Sequence, residues 1–255
     1  MNFKVVIPAH FESTRFPGKL LATIRGQTVI DRVINIAKKS GATDIIVATD
    51  DQRIAQSIES SDCEVIMTSK DHQSGTARIA EVVAKKNWAS EEVIINLQGD
   101  EPFIPAELVT TVAETLASTS DASIATACFP IARRADVFDP NLVKVVLDHH
   151  NYALYFSRAP IPWARDTFSD EQESLPDDYI ALGHIGLYGY RSKFLLEYSK
   201  LPSSFLENQE KLEQLRVLQA GHKIITARTD APPAPGGPSS INLTLIPYSL
   251  ARLVR

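Results

Sequence analysis

Apolar residues in the first hundred positions fall into short runs that alternate with amphipathic segments. The amphipathic segments carry apolar residues at the three- and four-residue spacing of a helix that packs on one face. This rhythm predicts strands at residues 3–9, 44–51, 63–69 and 91–102, and helices at residues 28–41, 51–60 and 74–87. Because parallel strands are joined by right-handed crossovers, we expect a mostly parallel sheet with helices on both faces.

The second half of the chain has a different composition and pattern, with Tyr, Phe and Val enriched and turn residues between the apolar runs. Such segments are typical of extended or antiparallel strands. We predict strands within residues 121–131, 141–162 and 184–191, a polar surface loop at residues 166–178, and one helix at residues 206–221 that ends at Gly221. No Gly- or Ser-rich linker divides the chain, so we expect an α/β core with a smaller β-rich part against it.

Composition and charge narrow the classes of function. The chain has 255 residues, 44% of them hydrophobic, which suffices for one large domain or two small ones. Its formal net charge of −5 disfavours a protein that mainly binds nucleic acid or an anionic membrane, since both need an excess of Lys and Arg. No apolar stretch approaches the roughly 20 residues of a spanning helix, and the first residues lack a signal-peptide pattern. We therefore expect a cytoplasmic protein.

The loop after the first predicted strand is the first candidate site. Its sequence, PAHFESTRFPGK at residues 8–19, carries four groups that can bind anions, namely His10, Ser13, Arg15 and Lys19. Ligands of parallel α/β sheets bind at the carboxyl ends of the strands. That rule places this loop in one crevice with Thr49 and Asp50, with the SGTAR segment at residues 74–78, and with Gln98 and Asp100.

Generic nucleotide fingerprints are missing from this loop. The G-x-x-x-x-G-K-[ST] spacing of a P-loop and the G-x-G-x-x-G pattern of dinucleotide sites are both absent from the sequence. Gly18 beside Lys19 still allows backbone N–H groups and an ammonium to converge on a phosphate chain. The loop by itself leaves open a second interpretation, a solvated segment whose charges are simply exposed.

Longer motifs carry a specific resemblance. In chain order they are PAHFESTRFPGK, IIVATDD, HQSGTARIAEVV, INLQGDEP, NLVKVVLD, YALYFSRAPIPW, HIGLYGYR and LEQLRVL. From residue 3 to about residue 228, the chain resembles the 3-deoxy-D-manno-octulosonate (KDO) cytidylyltransferases, also called CMP-KDO synthetases. Motifs such as QGDEP and ALYFSRAPIP are not general nucleotide-binding patterns, so the resemblance points to this family in particular.

The resemblance implies a fold and an activity. It implies a single nucleotidyltransferase domain of the Rossmann-like GT-A kind over residues 1–255, with CTP bound mainly by residues 1–120, the sugar and the dimer contact mainly in residues 121–228, and an atypical tail at residues 229–255. The family transfers a cytidylyl group from CTP to KDO and releases pyrophosphate, for lipopolysaccharide biosynthesis. Magnesium as cofactor and a homodimer are implied as well.

The resemblance also assigns residues to roles. Lys19 and Asp100 would be catalytic, with Lys19 on the triphosphate and Asp100 on magnesium. The nucleotide site would contain Ala9, His10, Ser13, Arg15, Lys19, Ser74, Gly75, Arg78 and Gln98. The sugar site would contain Gln98, Arg158, His184, Tyr188, Glu213 and Gln214.

Chemistry supports some of these roles and leaves simpler ones open for others. Arg158 suits a sugar carboxylate because its planar guanidinium binds a carboxylate at two points. Asp100, however, can cap the segment that follows it, and Ser74 can cap the helix beside it. Glu213 and Gln214 can equally be exposed polar groups of a helix.

Three positions depart from the family pattern. His10 stands where the family has arginine, so the charge of the loop depends on pH near neutrality. Ala77 occupies a place that is usually acidic, and Pro238 replaces a tail aspartate that helps to bind metal. Two hypotheses therefore stand: an active cytidylyltransferase for KDO or a related ulosonate, such as amino-KDO or a nonulosonate, and a catalytically impaired paralogue that only binds ligand.

Overall fold

The structure is a computed structural model that describes residues 1–12, 17–58, 63–72, 74–168 and 174–233. The strands are β1 (Lys4–Ala9), β2 (Thr23–Ile24), β3 (Gln27–Thr28), β4 (Asp44–Thr49), β5 (Glu64–Met67), β6 (Val93–Asn96), β7 (Ile124–Pro130), β8 (Lys144–Leu147), β9 (Ala153–Ser157), β10 (Leu182–Arg191) and β11 (Ile224–Arg228). The helices are α1 (Val29–Lys39), α2 (Gln52–Ser57), α3 (Gly75–Lys86), α4 (Ala106–Ser118), α5 (Arg134–Phe138), α6 (Ser192–Tyr198), α7 (Phe205–Glu210) and α8 (Gln214–Gln219). A 3-10 helix, Lys19–Leu21, follows β1.

Strands from both halves of the chain share one sheet. Its main row has the order β11-β7-β10-β6-β1-β4-β5. β1 pairs in parallel with β4 and β6, and β4 pairs in parallel with β5. Only β10 runs against its neighbours in this row, so the predicted mostly parallel sheet with flanking helices is confirmed. β8 and β9 extend the sheet antiparallel beside β10.

The two faces of the sheet carry separate apolar layers. Successive residues of a strand point to opposite faces, and in β1 this sends Val5 and Ile7 to one layer and Val6 to the other. The first layer includes the apolar sides of α1 and α4, and the second includes those of α3 and α6. Because helices cover both faces, the ends of the strands are left for loops that can bind a ligand.

The predicted helix at residues 206–221 is wrong as a single element. The chain forms α7, turns at Lys211 with a left-handed φ of 54°, and begins α8 three residues later. Tertiary contacts outweigh the helical propensity of the segment. The Glu210 carboxylate accepts hydrogen bonds from Ser157 Oγ at 2.6 Å and from the Arg158 N–H at 2.9 Å, which fixes the end of α7 against β9.

The remaining strands and helices agree only in part with the predictions from the hydrophobic pattern. β8, β9 and β10 pair antiparallel as expected, but β7 also pairs in parallel with β11. The hydrophobic pattern did not indicate α4, α6 or β11. No helix in the described ranges is long and apolar enough to cross a membrane.

Candidate active site

The carboxyl ends of β1, β4 and β6 lie at the same edge of the sheet, because these three strands run parallel. Ala9, the last residue of β1, is paired with Thr49, the last residue of β4. The chain then continues into His10 and Asp50, and β6 continues into Gln98. As expected from the sequence, these strand ends therefore lie together at one edge of the sheet.

Gly99 brings the loop after β6 against the end of β1. A Cβ atom at this position would lie 2.9 Å from the Pro8 carbonyl oxygen, so only glycine permits the approach. The next residue, Asp100, then reaches Lys19, with Nζ 3.1 Å from Oδ2. The Lys19 side chain is only 7% exposed, whereas that of Asp100 is 48% exposed. This pair presents a carboxylate to the crevice with a desolvated ammonium directly beside it.

A second charged cluster lies at the end of β4. His10 Nδ1 lies 2.8 Å from Asp50 Oδ2, and Arg78 Nη2 lies 3.0 Å from the same oxygen. Burial alone would raise the pKa of Asp50, but the hydrogen bond from His10 and the charge of Arg78 outweigh burial and hold that pKa below its ordinary value. The His10 side chain is about half exposed. Asp50 thus fixes one edge of an imidazole that borders the crevice.

The start of α3 faces the same strand ends. Ser74 Oγ accepts a hydrogen bond from the Ala77 N–H at 3.2 Å, so the capping role considered for Ser74 is confirmed. A Cβ atom on Gly75 would lie 3.3 Å from Pro8 Cγ and 3.5 Å from Gln98 Nε2, which shows how closely these segments meet. The free N–H groups of a first helical turn attract anions.

One cavity, of about 240 Å³, opens between the starts of α3 and α8. Glu213 Oε2 accepts hydrogen bonds from Thr76 Oγ1 and from Tyr198 OH, both at 3.1 Å. Burial, assisted by the charge of Glu213, raises the pKa of Tyr198, so its hydroxyl keeps the proton that it donates. Gln214 is buried in the wall, and its amide makes no hydrogen bond to another described residue. The cavity therefore offers both an acceptor and an unpaired amide.

A second cavity, of about 340 Å³, shares Gln98 with the first. It is lined by His184 of β10 and by Glu101, the residue after Asp100. Burial lowers the pKa of His184 to about 3, so its imidazole is neutral at physiological pH. Burial also raises the pKa of Glu101, and the charge of Asp100 adds to that effect. Gln98 thus stands between the two cavities.

Known proteins share this sequence and this arrangement. The sequence model described as cytidylyltransferase matches residues 4–224. The 3-deoxy-manno-octulosonate cytidylyltransferases of Psychromonas ingrahamii and Nitrosococcus oceani are 54% and 48% identical to this chain, each over 92% of it and over 94% and 92% of their own lengths. The chain belongs to the 3-deoxy-manno-octulosonate cytidylyltransferase family.

A solved structure agrees with this membership. The structure of CMP:2-keto-3-deoxy-manno-octonic acid synthetase complexed with CTP matches with a TM-score of 0.85 and 37% identity, over 99% of each chain. The predicted nucleotidyltransferase fold is confirmed by this match. As a cytidylyltransferase the chain is an enzyme of the nucleotidyltransferase class.

Most residues assigned from the cytidylyltransferase resemblance lie around the two cavities or at the adjoining strand ends. Gly75, Gln98, Tyr188, Glu213 and Gln214 line the first cavity, and His184 lines the second together with Gln98. Ala9, His10, Lys19, Ser74 and Asp100 lie at the strand ends and the start of α3. Their individual contacts with ligand stay predictions.

Two arginines are not brought to the cavities in this structure. The buried Arg78 donates to Asp50, to Thr68 Oγ1 at 2.5 Å and to the Ser69 carbonyl at 3.3 Å, so it supports the loop before α3. Arg158 donates from Nε to the Glu210 carbonyl at 2.7 Å and from Nη1 to the Pro140 carbonyl at 2.8 Å. The expected direct contacts of Arg78 with nucleotide and of Arg158 with sugar therefore stay predictions. Ser13, Arg15 and Pro238 lie outside the described residues.

The cytidylyltransferase site also contains residues that sequence reasoning did not assign. Asp50 was placed in the crevice without a role, although its position after a buried strand was the available signal. Thr76, in the first turn of α3, holds Glu213 from a distance of 137 positions along the chain. Tyr190 is buried and lines the first cavity together with Thr76 and Asn96. Thr76 in its helix and Tyr190 in its strand carry no local sequence signal that distinguishes them from packing residues.

Proposed function

We propose that this protein transfers a cytidylyl group from CTP to KDO and forms CMP-KDO and pyrophosphate. The observation that carries the proposal is the meeting of Lys19 and Asp100 at the parallel strand ends, beside the residue that lines both cavities, Gln98. We assign the two cavities that meet at Gln98 to the sugar acid, and the adjoining strand ends, where Lys19 and Asp100 lie, to the triphosphate. The names of the relatives at 54% and 48% identity support the same pair of substrates.

In the proposed reaction the anomeric hydroxyl oxygen of the sugar attacks the α-phosphorus of CTP. The bond between that phosphorus and the bridging oxygen breaks, pyrophosphate leaves with the electron pair, and the hydroxyl proton passes to water. Both reactants are anions, so alignment and charge neutralisation contribute most of the acceleration. The Lys19 ammonium is desolvated, and it therefore stabilises developing phosphate charge more strongly than an exposed lysine would.

Asp100 is the residue that would hold magnesium. Its carboxylate is half exposed, and its Oδ1 makes no hydrogen bond to another described residue. Magnesium in nucleotide sites is commonly bound by one or two carboxylates together with substrate phosphates, so a site with Asp100 as the protein ligand fits this chemistry. When bound, the ion would neutralise phosphate charge and orient the triphosphate.

The first cavity supports a polyhydroxylated ligand. Glu213 has an acceptor oxygen held by Thr76 and Tyr198, and Gln214 has an amide that can both donate and accept. Because these groups are positioned before ligand binds, they can select hydroxyl groups at little cost in side-chain ordering. We assign this wall to the sugar acid, with Tyr188 beside it.

We propose that the chain acts as a cytoplasmic homodimer built from single nucleotidyltransferase domains, with the nucleotide bound mainly by the first half of the chain. The shared sheet supports one domain. Leu154, Trp163 and Ile180 are exposed in the sugar-side half, and a second copy of the chain would cover such residues. The product, an activated sugar acid, would serve lipopolysaccharide assembly.

An assay of pyrophosphate release over several sugar acids tests this proposal. We expect release with CTP and KDO in magnesium, and much slower release with an amino-substituted octulosonate or a nonulosonate. Faster turnover of one of the other acids would reassign the substrate within the same reaction. Binding of CTP and KDO without turnover would contradict the proposal and favour the impaired paralogue.

A further inference from the structure

Among the described residues, the His184 ring at the second cavity has one hydrogen-bond partner, Thr126. Its Nε2 lies 2.8 Å from Thr126 Oγ1, and its ring packs between Phe156 and Tyr188, with centroid distances of 4.9 and 5.4 Å. Its Nδ1 makes no hydrogen bond to another described residue. The orientation of the imidazole is therefore set by Thr126 on one side, and one nitrogen is left for a ligand.

Thr126 lies opposite an irregularity in β10. Ile185 is paired with Ala127 and Gly189 with Ala125, so Thr126 alone faces the three β10 residues 186–188. Its Oγ1 lies 3.1 Å from the Ile185 carbonyl oxygen and 2.9 Å from the Leu187 carbonyl oxygen. Thr126 is fully buried, so no water replaces these contacts. Its hydroxyl is thus surrounded by two carbonyl acceptors and the His184 ring.

The number of protons decides which tautomer His184 adopts. A hydroxyl group has one proton to donate and two lone pairs that accept. If that proton goes to one of the two carbonyls, Thr126 Oγ1 must accept from His184, which places the ring proton on Nε2. In the opposite tautomer the hydroxyl proton goes to Nε2, so neither carbonyl receives it and the hydroxyl makes one of these hydrogen bonds instead of two.

We propose that Thr126 is a positioning residue that holds His184 as the Nε2–H tautomer, so that Nδ1 presents a lone pair to a hydroxyl group of the sugar acid. The ligand part of this inference rests on the proposed function. The inference also sets a requirement for the substrate. The substrate must carry a hydroxyl group that donates a hydrogen bond to His184 Nδ1 in the second cavity. A ligand that has only acceptors at that position would be rejected.

The low pKa of His184 agrees with this geometry. Because burial lowers it to about 3, the ring stays neutral at pH 7 and retains an acceptor nitrogen. A charged imidazolium would donate from both nitrogens and could not accept the hydroxyl proton.

The neighbouring strand supplies a matched control. Thr226 of β11 is the register partner of Thr126, and it is also buried. Among the described residues its Oγ1 has no hydrogen-bond partner. Thr226→Val and Thr126→Val therefore make the same chemical change at adjacent buried positions, and only the second removes the contact with His184. Thr126→Ser keeps the hydroxyl and serves as the conservative variant.

The test combines a spectroscopic and a kinetic measurement on the full chain. In ¹⁵N-labelled wild-type protein without ligand, we expect long-range ¹H–¹⁵N spectra to show His184 protonated on Nε2, with its signals identified among the six histidines by their loss in His184→Ala. We expect Thr126→Val to give averaged nitrogen shifts and to raise KM for KDO roughly threefold to tenfold, with kcat and KM for CTP unchanged. Thr126→Ser should restore both readouts, and Thr226→Val should alter neither.

The possible failures are distinguishable. A proton on Nδ1 in the wild type would overturn the inference without any activity measurement. An active enzyme whose KM for KDO is unchanged in Thr126→Val would overturn the positioning role. If the wild type shows the Nε2–H tautomer but does not use KDO, the proposed function is wrong and the sugar acid is not the ligand of His184. The tautomer assignment would then still hold.

Discussion

Arg78 and Asp50 form a buried ion pair behind His10, with Nη2 3.0 Å from Oδ2 and with side chains that are 4% and 3% exposed. The Asp50 carboxylate is hydrogen-bonded to His10 Nδ1 and accepts from Arg78, so it joins the end of β4 to the loop after β1 and to α3. The pair links the packing of the sheet to the geometry of the proposed nucleotide site. We therefore expect removal of this ion pair to destabilise the fold first, and to change the catalysed reaction only as a consequence.

We predict that Asp50→Asn lowers the free energy of unfolding by roughly 3 to 5 kcal/mol, because the buried guanidinium of Arg78 loses its counter-charge. Urea denaturation at pH 7 measures this change. Asp136→Asn is the control, since its ion pair with the largely exposed Arg133 lies on the surface, where solvent screening leaves it little effect on stability. Equal losses in the two variants would show that the Asp50 pair is not a structural anchor.

His10→Arg tests the place of the imidazole. A guanidinium is charged throughout the neutral range, whereas a histidine loses charge there. If residue 10 contacts the triphosphate, we expect the substitution to lower KM for CTP about tenfold at pH 8, which corresponds to a charge-assisted contact of about 1.5 kcal/mol. The pH dependence of that KM should flatten between roughly pH 6 and 8.

The control for His10→Arg is KM for KDO, which should not change. An unchanged KM for CTP at pH 8 would show that residue 10 does not touch the triphosphate. CTP would then be held by Arg15, Lys19 and backbone N–H groups.

Asp100→Ala should reduce kcat by about 100-fold or more in saturating magnesium, because a preorganised charge at the reacting centre is lost. The fold should persist, since the carboxylate is half exposed, and the melting temperature should change by only a few degrees. Steady-state kinetics and thermal unfolding measure the two effects. A variant that keeps most of its activity would show that Asp100 is not the metal ligand.

Glu81 gives a prediction on stability and pH. Burial alone would raise its pKa, but hydrogen bonds from Lys85, the Ser69 N–H and His72 outweigh burial and lower the pKa to about 2. Because the folded-state pKa is depressed, the stabilisation is present above the ordinary value of 4.5 and is lost as pH falls towards 2. We expect Glu81→Gln to cost about 1 to 2 kcal/mol at pH 7.

Urea denaturation of the wild type and Glu81→Gln at pH 7 and at pH 3 tests this dependence. The difference between the two proteins should shrink at the lower pH. A difference that is independent of pH would mean that the side chain acts through packing and not through its charge.

The parallel core could be predicted from the sequence because each strand and helix has its own local periodicity. The strand ends at Ala9 and Thr49 and the helix start at Ser74 follow from apolar runs and a capping residue, so the crevice follows from general rules of α/β sheets. The break at Lys211 could not be predicted in this way. It depends on contacts of Glu210 with β9, more than 50 positions away in sequence.

The residue assignments of the site came largely from the family resemblance, and the structure adds what a motif does not contain. A motif names Arg78 and Arg158 but does not show that their guanidinium groups contact Asp50 and backbone carbonyls. Thr126 illustrates the same limit, because its importance arises from the irregular pairing of β10, which has no local sequence signal.

The central claim is that the chain joins CTP to a sugar acid at the edge where Lys19 meets Asp100. ³¹P NMR of the wild-type protein with CTP, KDO and magnesium tests it directly, since it follows every phosphorus atom. We predict that a phosphodiester signal of CMP-KDO and the signal of pyrophosphate appear in equal amounts, and that neither appears when KDO is omitted. Release of pyrophosphate with free CMP in the absence of KDO, or no change in the CTP signals with both substrates present, would contradict the account.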